Sequence, residues 1–313
     1  MTPVPLFAGS RVREAVSPAR ALDVVREAFV SHAAGAWTMP PKVYVTNYPA
    51  GDFRAMPALG GGHALLKWVT SFPGNPARGL PTVTGVVLLS NAETGELEAV
   101  LDAASVTALR TGAAAVLAAE TLGRADARTA AVVGAGVNGA AAAATFVARG
   151  RDVALWDVDG ERVRRVADEL GATVAGSLAE ALGADVLVTV TPGHELLLAD
   201  GALQPGQHVS LMGADGPGKA EIAAAELART HVFCDDWEQA SHGGELTALV
   251  DAGLIGEADV TRLGDVLNGE ASGRAGDHEI TAFDSTGLAI QDLAIAIAAY
   301  GRIGELDLPT VDL

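Results

Sequence analysis

Two cations stand in otherwise apolar stretches of the sequence, where a charge needs a chemical reason. Lys67 lies within residues 65–69, and Arg110 lies among the small and apolar residues 107–114. An unpaired charge is costly to bury, whereas opposite charges about 4 Å apart attract by roughly 4 kcal/mol at an effective dielectric near 20. We therefore predict that Lys67 and Arg110 bind a substrate carboxylate. Two alternatives stay open: Lys67 on a solvent-facing strand edge, and Arg110 paired with a structural acid.

Asp215 is the third charged candidate. It follows an apolar run that ends at Met212, which places it at the carboxyl end of a predicted strand. A carboxylate at that place can accept or deliver a proton during a reaction. The alternative is a turn aspartate that precedes Gly216-Pro217-Gly218.

A glycine-rich loop follows the apolar run 130–133 and has the pattern G-x-G-x-x-G. Its six residues are Gly134, Ala135, Gly136, Val137, Asn138 and Gly139. The glycines of this pattern permit a tight turn, the approach of a pyrophosphate and close packing of the next helix, whose N-terminus attracts phosphate. We predict that the loop binds a dinucleotide; the alternative is a glycine-rich turn without a ligand. The nicotinamide end is expected beside residues that follow later strands, namely Thr191, Pro192 and Met212.

Asp157 ends the strand after the glycine-rich loop, at the usual distance for a ribose-binding acid. Its carboxylate can accept hydrogen bonds from both ribose hydroxyls and would repel a 2′-phosphate. The next residues, Val158 and Asp159, supply no arginine to hold such a phosphate. These features favour NAD over NADP. Alternatively, Asp157 caps the predicted helix 160–170.

The elements that carry these residues predict two domains. Residues 36–101 hold short apolar runs broken by turn residues, which favours a strand-rich region, and residues 103–122 predict a buried helix. The second half alternates between predicted strands and helices, which is typical of a parallel sheet covered on both faces. The strand candidates are 130–133, 152–156, 185–190 and 207–212, and the helix candidates are 137–149, 160–170 and 177–183. A last helix at 287–300 is expected to return to the first domain. We assign 1–120 with 288–313 to one domain and 121–287 to the other.

Composition narrows the class of protein. The chain of 313 residues carries a net charge of −18, which disfavours nucleic acid and anionic membranes as partners. No apolar run is long enough to span a bilayer, and the first residues lack the pattern of a secretory signal. Cys234 is the single cysteine, so a reducing compartment, the cytoplasm, is expected. The seven histidines lack paired metal-ligand spacing, and we expect no metal.

Taken together, these stretches resemble the ornithine cyclodeaminase/μ-crystallin family over about residues 40–300. Besides the stretches above, the resemblance rests on Met56-Pro57, Gly79–Val83, Cys234–Asp236, Gly243–Leu246 and Phe283–Asp292. Similarity to archaeal-type alanine dehydrogenases is greatest in the amino-acid sequences of residues 74–83, 213–221 and 235–246. The resemblance implies an α/β fold: a Rossmann NAD-binding domain plus a discontinuous mixed α/β domain for substrate binding and dimerisation.

What the resemblance implies for activity is a reaction at a C–N bond of the α-carbon. Reversible conversion of L-alanine to pyruvate and ammonia by a cytoplasmic NAD-dependent homodimer is the main prediction, with Lys67 and Asp215 catalytic. Alternatives are a ketimine or Δ1-pyrroline-2-carboxylate reductase, an ornithine cyclodeaminase, and a nucleotide-binding crystallin-like protein without turnover. Two positions depart from the cyclodeaminases: Lys42 stands near an expected arginine, and Arg54 replaces a glutamate that meets the substrate's distal amine. If Arg54 faces the pocket, it would repel the cationic side chain of ornithine and favour a short neutral or an acidic substrate; the alternative is that strand alternation turns Arg54 to solvent.

Overall fold

The computed structural model describes residues 3–193, 195–216 and 218–313. These residues form two compact units, Met1–Arg110 with Leu288–Leu313, and Thr111–Gly287. The division falls inside helix α3 (Ala103–Leu122), which spans the range predicted for it. Among the described residues, no helix is both long and apolar enough to cross a membrane.

The first unit contains one seven-stranded sheet. Its strands are β1 (Val4–Phe7), β2 (Val43–Asn47), β3 (Gly51–Gly60), β4 (His63–Ser71), β5 (Val83–Asn91), β6 (Leu97–Asp102) and β15 (Thr310–Val311). The order across the sheet is β15-β1-β6-β5-β4-β3-β2. Strands β2 to β6 form an antiparallel meander, whereas β1 is parallel to β6. A turn that begins at Asn91 joins β5 to β6, and the Asn91 side chain accepts hydrogen bonds from the amides of Glu93 and Thr94.

The pleat gives this sheet two chemically different faces. On β4, Leu65, Lys67 and Val69 are buried, while Leu66 and Trp68 between them are exposed. Opposed residues of neighbouring strands share a face, so Arg54 and Met56, which oppose Val69 and Lys67, lie on the side of Lys67. We call this side the site face. The other side, the reverse face, presents apolar side chains that are 38–57% exposed: Val43, Val45, Leu59, Leu66, Trp68 and Val86.

Helices pack on the sheet of the first unit and on one another. They are α1 (Gly9–Ala15), α2 (Pro18–Ala33) and α11 (Ala289–Tyr300). Ser17 caps α2, where its hydroxyl accepts a hydrogen bond from the amide of Arg20, and Pro18 occupies the first helical position. The last helix also forms close to its predicted range, and it packs against α2, β3 and β4. Helix α11 therefore brings the end of the chain onto the sheet that carries Lys67.

The second unit is a parallel sheet of eight strands. They are β7 (Ala130–Val133), β8 (Val153–Trp156), β9 (Thr173–Val174), β10 (Val186–Thr189), β11 (His208–Leu211), β12 (His231–Cys234), β13 (Thr261–Arg262) and β14 (Thr281–Asp284). The order is β13-β12-β14-β11-β10-β7-β8-β9. From β7 the chain proceeds outward to β8 and β9, then returns to β10 on the other side. This reversal between β7 and β10 is the switch point at which Rossmann folds bind their ligands.

The connections of the second unit are mostly helical. The predicted helices form as α4 (Val137–Ala148), α5 (Gly160–Leu170) and α6 (Leu178–Leu182). Four short helices follow later in the chain: α7 (Ala224–Leu227), α8 (Trp237–Gly243), α9 (Thr247–Asp251) and α10 (Leu263–Leu267). The central strands are fully buried, including Leu187, Val209 and Leu211, which is expected for a parallel sheet covered on both faces.

Candidate active site

Lys67 lies at the centre of the site face and is only 1% exposed. Its Nζ atom is 2.8 Å from Oδ1 of Asp292, a fully buried carboxylate in the first turn of α11. The alternative of a solvent-facing lysine is therefore wrong. The acid that compensates this charge comes from a helix far along the chain.

Arg110 approaches the same carboxylate from α3. Its Nε atom is 3.6 Å from Oδ1 of Asp292, which is too long for a hydrogen bond but close enough for ionic attraction. Within the described part of the chain, Nε of Arg110 and Oδ2 of Asp292 are buried atoms without a hydrogen-bond partner. We call Lys67, Arg110 and Asp292 the buried triad. With all three groups ionised, it carries one net positive charge and retains unused hydrogen-bonding capacity.

The surroundings of Lys67 favour its neutral form more than water does. Burial lowers the pKa of its ammonium group to about 8, and the positive charges of Arg110 and Arg54 act in the same direction. The carboxylate of Asp292 opposes these effects through its charge and its hydrogen bond. Asp292 therefore supplies the attraction in the triad that keeps Lys67 protonated near neutral pH.

Arg54 lies on the site face and is buried, so its side chain does not turn to solvent. Its Nε donates a hydrogen bond of 2.6 Å to Oδ1 of Asp52, and its guanidinium lies 5.3 Å from the ring centre of Tyr44. Lys42 precedes β2 and is half-buried. The site face thus holds Arg54 with its own acid, Asp52, in addition to the buried triad.

In the second unit, the glycine-rich loop joins β7 to α4 at the carboxyl end of the sheet. A Cβ atom at Gly139 would collide with the carbonyl oxygen of Gly134, so the close packing of strand and helix requires glycine there. A Cβ atom at Gly136 would instead meet open space. Open space at the second glycine and a free helix N-terminus fit the approach of a pyrophosphate.

Asp157 is held beside this loop by two backbone amides. Its Oδ2 accepts a hydrogen bond of 2.6 Å from the amide of Ala135, and its Oδ1 accepts one of 2.8 Å from the amide of Asp159. The alternative role as a helix cap is wrong, because Asp159 caps α5. Positions 158 and 159 supply no arginine, but Nη1 of Arg162 lies 3.6 Å from Oδ2 of Asp157.

The ends of β10 and β11 are joined by Glu221, a fully buried acid. Its carboxylate accepts hydrogen bonds from both the amide and the hydroxyl of Thr191, from the hydroxyl of Thr189 and from the amide of Gly213. Burial raises the pKa of Glu221, while these hydrogen bonds act in the opposite direction. Glu221 thereby fixes the segments that contain the predicted residues Thr191, Pro192 and Met212.

Asp215 lies beyond β11 in this same region of the second unit. Its carboxylate is one-third exposed, and its Oδ1 is 2.5 Å from Nζ of Lys219. The residue is thus an accessible, charge-paired acid after a strand end, a position suited to proton exchange. Among the described residues, no group of three or more histidine, cysteine or acidic side chains is placed to hold a metal ion.

Comparison with known proteins identifies the family. The sequence profile of the ornithine cyclodeaminase/mu-crystallin family matches residues 6–306. The chain belongs to this family. The resemblance expected from the charged stretches and the glycine-rich loop is therefore confirmed.

Several members of the ornithine cyclodeaminase/mu-crystallin family are closely similar to this chain. Alanine dehydrogenase of Archaeoglobus fulgidus is 42% identical over 296 residues, which cover 92% of both chains. An archaeal alanine dehydrogenase dimer with bound NAD superposes with a TM-score of 0.93 at 38% identity, over 99% of each chain. Thermococcus litoralis Δ1-pyrroline-2-carboxylate reductase in complex with NADH and L-proline gives 0.91 at 25% identity, over 99% of this chain and 100% of that one. The predicted mixed α/β and Rossmann fold class and the likeness to archaeal alanine dehydrogenases are confirmed.

Two buried acids of this family member had no predicted role. Asp292 is the only charged residue of α11, so the argument applied to Lys67 and Arg110, a charge in an apolar stretch, would also have selected it. Glu221 follows Lys219 and Ala220 in a polar loop, where the sequence gives no sign of burial. Only the folded chain brings Glu221 to Thr191 and Gly213.

Proposed function

We propose that this protein is an NAD-dependent oxidoreductase acting at the α-carbon C–N bond of a small amino or imino acid. L-alanine dehydrogenation to pyruvate and ammonia, in reversible form, is the reaction that we favour. The observation that carries the proposal is the buried triad, whose net positive charge and unused donor suit one carboxylate. The 42% identity to an alanine dehydrogenase over 92% of the chain supports the choice of alanine.

The cofactor proposed is NAD, bound by the glycine-rich loop and Asp157. The loop residues 134–139 would hold the pyrophosphate, and Asp157 would accept hydrogen bonds from the ribose hydroxyls. Thr191, Pro192 and Met212 would border the nicotinamide. When bound, oxidised NAD supplies the hydride acceptor for the α-carbon.

Each predicted residue then has one proposed task. Lys67 and Arg110 bind the α-carboxylate through charge and hydrogen bonds, with Lys42 assisting. Asp215 takes the proton lost from the amine, or from the water that attacks the imine, and returns it in the reverse direction. Hydrolysis of the imine gives pyruvate and ammonia. Arg54, paired with Asp52, lies on the site face where the cyclodeaminases carry the glutamate that meets the substrate's distal amine, and the loss of that acid disfavours the cationic side chain of ornithine.

We further propose that the protein is a cytoplasmic homodimer. The reverse face exposes six apolar side chains on one side of a sheet. Large exposed apolar patches typically mark interaction surfaces. The archaeal alanine dehydrogenase that this chain resembles over its full length is a dimer. A second copy packed on the reverse face would remove these side chains from water. The cytoplasm is inferred from the single buried thiol, Cys234.

The proposal is tested with three substrate sets: NADH oxidation is followed for pyruvate plus ammonium and for the cyclic imine, and release of ammonia in the presence of NAD is followed for ornithine. We expect turnover with pyruvate plus ammonium to exceed turnover with Δ1-pyrroline-2-carboxylate, and NAD-dependent conversion of ornithine to be much slower. If the enzyme prefers the cyclic imine as substrate, the proposed activity becomes imine reduction in place of alanine dehydrogenation. Absence of turnover with every substrate, despite NADH binding, would refute the enzymatic proposal.

The role of Asp215 is tested separately by Asp215→Asn. This change keeps the shape of the side chain and removes its basicity, so kcat should fall by about 100-fold or more, while NADH binding measured by fluorescence stays unchanged. Asp251→Asn, an exposed acid at the end of α9, is the matched control and should have wild-type activity. Wild-type kcat in Asp215→Asn would remove Asp215 from the mechanism.

A further inference from the structure

Asp292 is an unusual residue for the helix that contains it. Helix α11 is otherwise uncharged, and Asp292 within it is fully buried. A buried carboxylate is stable only where cations or hydrogen bonds compensate it. Here the compensation comes from two cations that the proposed function assigns to substrate binding.

We propose that Asp292 is a positioning residue: a fixed internal counter-ion that orients Lys67 and Arg110 and reduces their combined charge to the value that one substrate carboxylate neutralises. The inference rests on the proposed function, since it concerns the same carboxylate site. It assigns to Asp292 no contact with the reacting atoms.

Asp292 lies close to both cations that it is proposed to orient. One oxygen of Asp292 serves both cations, at 2.8 Å from Nζ of Lys67 and 3.6 Å from Nε of Arg110. These side chains come from three elements, β4, α3 and α11, so the shared oxygen fixes their relative positions. Without this anion, two cations at this separation would repel each other and move apart.

The net charge of the buried triad differs from that of a structural ion pair. A purely structural ion pair would contain equal numbers of charges and leave no buried donor unused. The buried triad has two cations for one anion, and Nε of Arg110 has no hydrogen-bond partner within the described chain. An incoming carboxylate would supply the missing charge and an acceptor for that donor. The arrangement therefore suits a small monocarboxylate.

The protonation of Lys67 gives a readout that a merely structural role would not move. The charged groups that act on its ammonium are Asp292 from α11, Arg110 from α3 and Arg54 from β3, and the first of these alone favours the charged form. An opposite charge within about 4–6 Å typically shifts a pKa by about 1–3 units. Removing the charge of Asp292 should therefore make Lys67 lose its proton at lower pH.

The experiment is the pH dependence of inhibition by propionate, a carboxylate that does not titrate between about pH 6 and 10 and lacks the amine. In the wild type, we expect its inhibition constant against pyruvate to rise above pH 8, where Lys67 loses its proton. In Asp292→Asn, the rise should begin at least about one pH unit lower. At pH 7.5, a fall of the pKa from about 8 to about 7 lowers the protonated fraction of Lys67 from about three-quarters to about one-quarter, so the affinity for propionate should be about threefold weaker. NADH affinity should not change.

Three further variants keep the proposal falsifiable. Asp292→Glu retains the charge, so the pH at which its inhibition constant for propionate rises should stay within about half a pH unit of the wild-type value, even if the affinity falls. This variant tests the proposal even if Asp292→Asn does not fold. Lys67→Arg should abolish the rise, because arginine stays protonated over this range. Asp23→Asn, an exposed acid of α2, is the control for a general charge effect.

Two outcomes would overturn the role of Asp292. In the first, the inhibition constant for propionate rises at the wild-type pH in folded Asp292→Asn. In the second, this rise is displaced by more than one pH unit in Asp292→Glu. Either result with normal wild-type turnover would leave the proposed function intact. A wild type without turnover on any substrate would instead remove the proposed function itself.

Discussion

Replacing Asp157 by asparagine tests how the protein distinguishes NAD from NADP. In the folded chain the Asp157 carboxylate is 6% exposed, so solvent screens it only weakly. A 2′-phosphate adds roughly −1.5 to −2 charges at pH 7. At about 4 Å and an effective dielectric near 20, one unit of like charge costs roughly 4 kcal/mol. Since about 1.4 kcal/mol corresponds to a factor of ten, this repulsion alone could exclude NADPH by about 1000-fold.

The expected result of Asp157→Asn is a fall in the NADH-to-NADPH ratio of kcat/KM by at least about tenfold, and by about 1000-fold if the full repulsion of one unit of charge is removed. Part of the change comes from weaker NADH binding, because an amide replaces one of the two acceptors that now meet backbone amides. Part comes from Arg162, whose Nη1 is 3.6 Å from Asp157 and would be available to the phosphate. Adding Arg162→Ala should therefore reverse the gain with NADPH. An unchanged ratio in Asp157→Asn, measured by initial rates with both cofactors, would refute this account of specificity.

Three other predictions concern stability and assembly. Burial lowers the pKa of His208 to about 3, below its value of about 6.5 in the unfolded chain. The unfolded state thus gains a proton first on acidification, and His208 should account for about 2 kcal/mol of lost stability between pH 7 and pH 5; urea unfolding of His208→Asn should show a shallower loss, and an identical loss would contradict this. Burial raises the pKa of Glu245 to about 8, so the native state holds a proton that the unfolded state releases above about pH 4.3, and the stability from this group declines as pH rises to 8. Glu245→Gln should accordingly gain in melting temperature relative to the wild type between pH 5 and pH 8, and a constant difference would exclude the titration of Glu245. Trp68→Glu on the reverse face should convert the dimer to a monomer in light scattering, whereas Leu254→Glu, at an exposed leucine of the second unit, should not; a dimeric Trp68→Glu would rule out this face as the interface.

Most helices and strands of the second unit were predictable because apolar residues recur with a different spacing in helices than in strands. Short apolar runs followed by amphipathic segments indicate strands and helices of a parallel sheet, and the predicted strands β7, β8, β10 and β11 formed within one residue of their expected ends. The strands β9, β13 and β14 were not predicted, since each contains only two or four residues. Short strands of this kind depend on their neighbours in the sheet more than on their own sequence.

The candidate site was predictable where the chemistry is local. The glycine-rich loop and the apolar surroundings of Lys67 can be recognised within a few residues. The partner of Lys67 could not be, because Asp292 is 225 positions away in the chain. Similarly, Asp157 and Asp159 are both acids before the same helix, and only their hydrogen bonds distinguish the residue that meets the loop from the residue that caps α5.

The alternation along β4 restricts how this protein can change during evolution. Lys67 and Trp68 are adjacent in sequence but lie on opposite sides of the sheet. Insertion or deletion of a single residue before them would reverse every following side chain of the strand. An ammonium group would then lie on the apolar reverse face, and an indole would lie on the site face. We therefore expect homologous chains to vary β4 by substitution while its length stays constant.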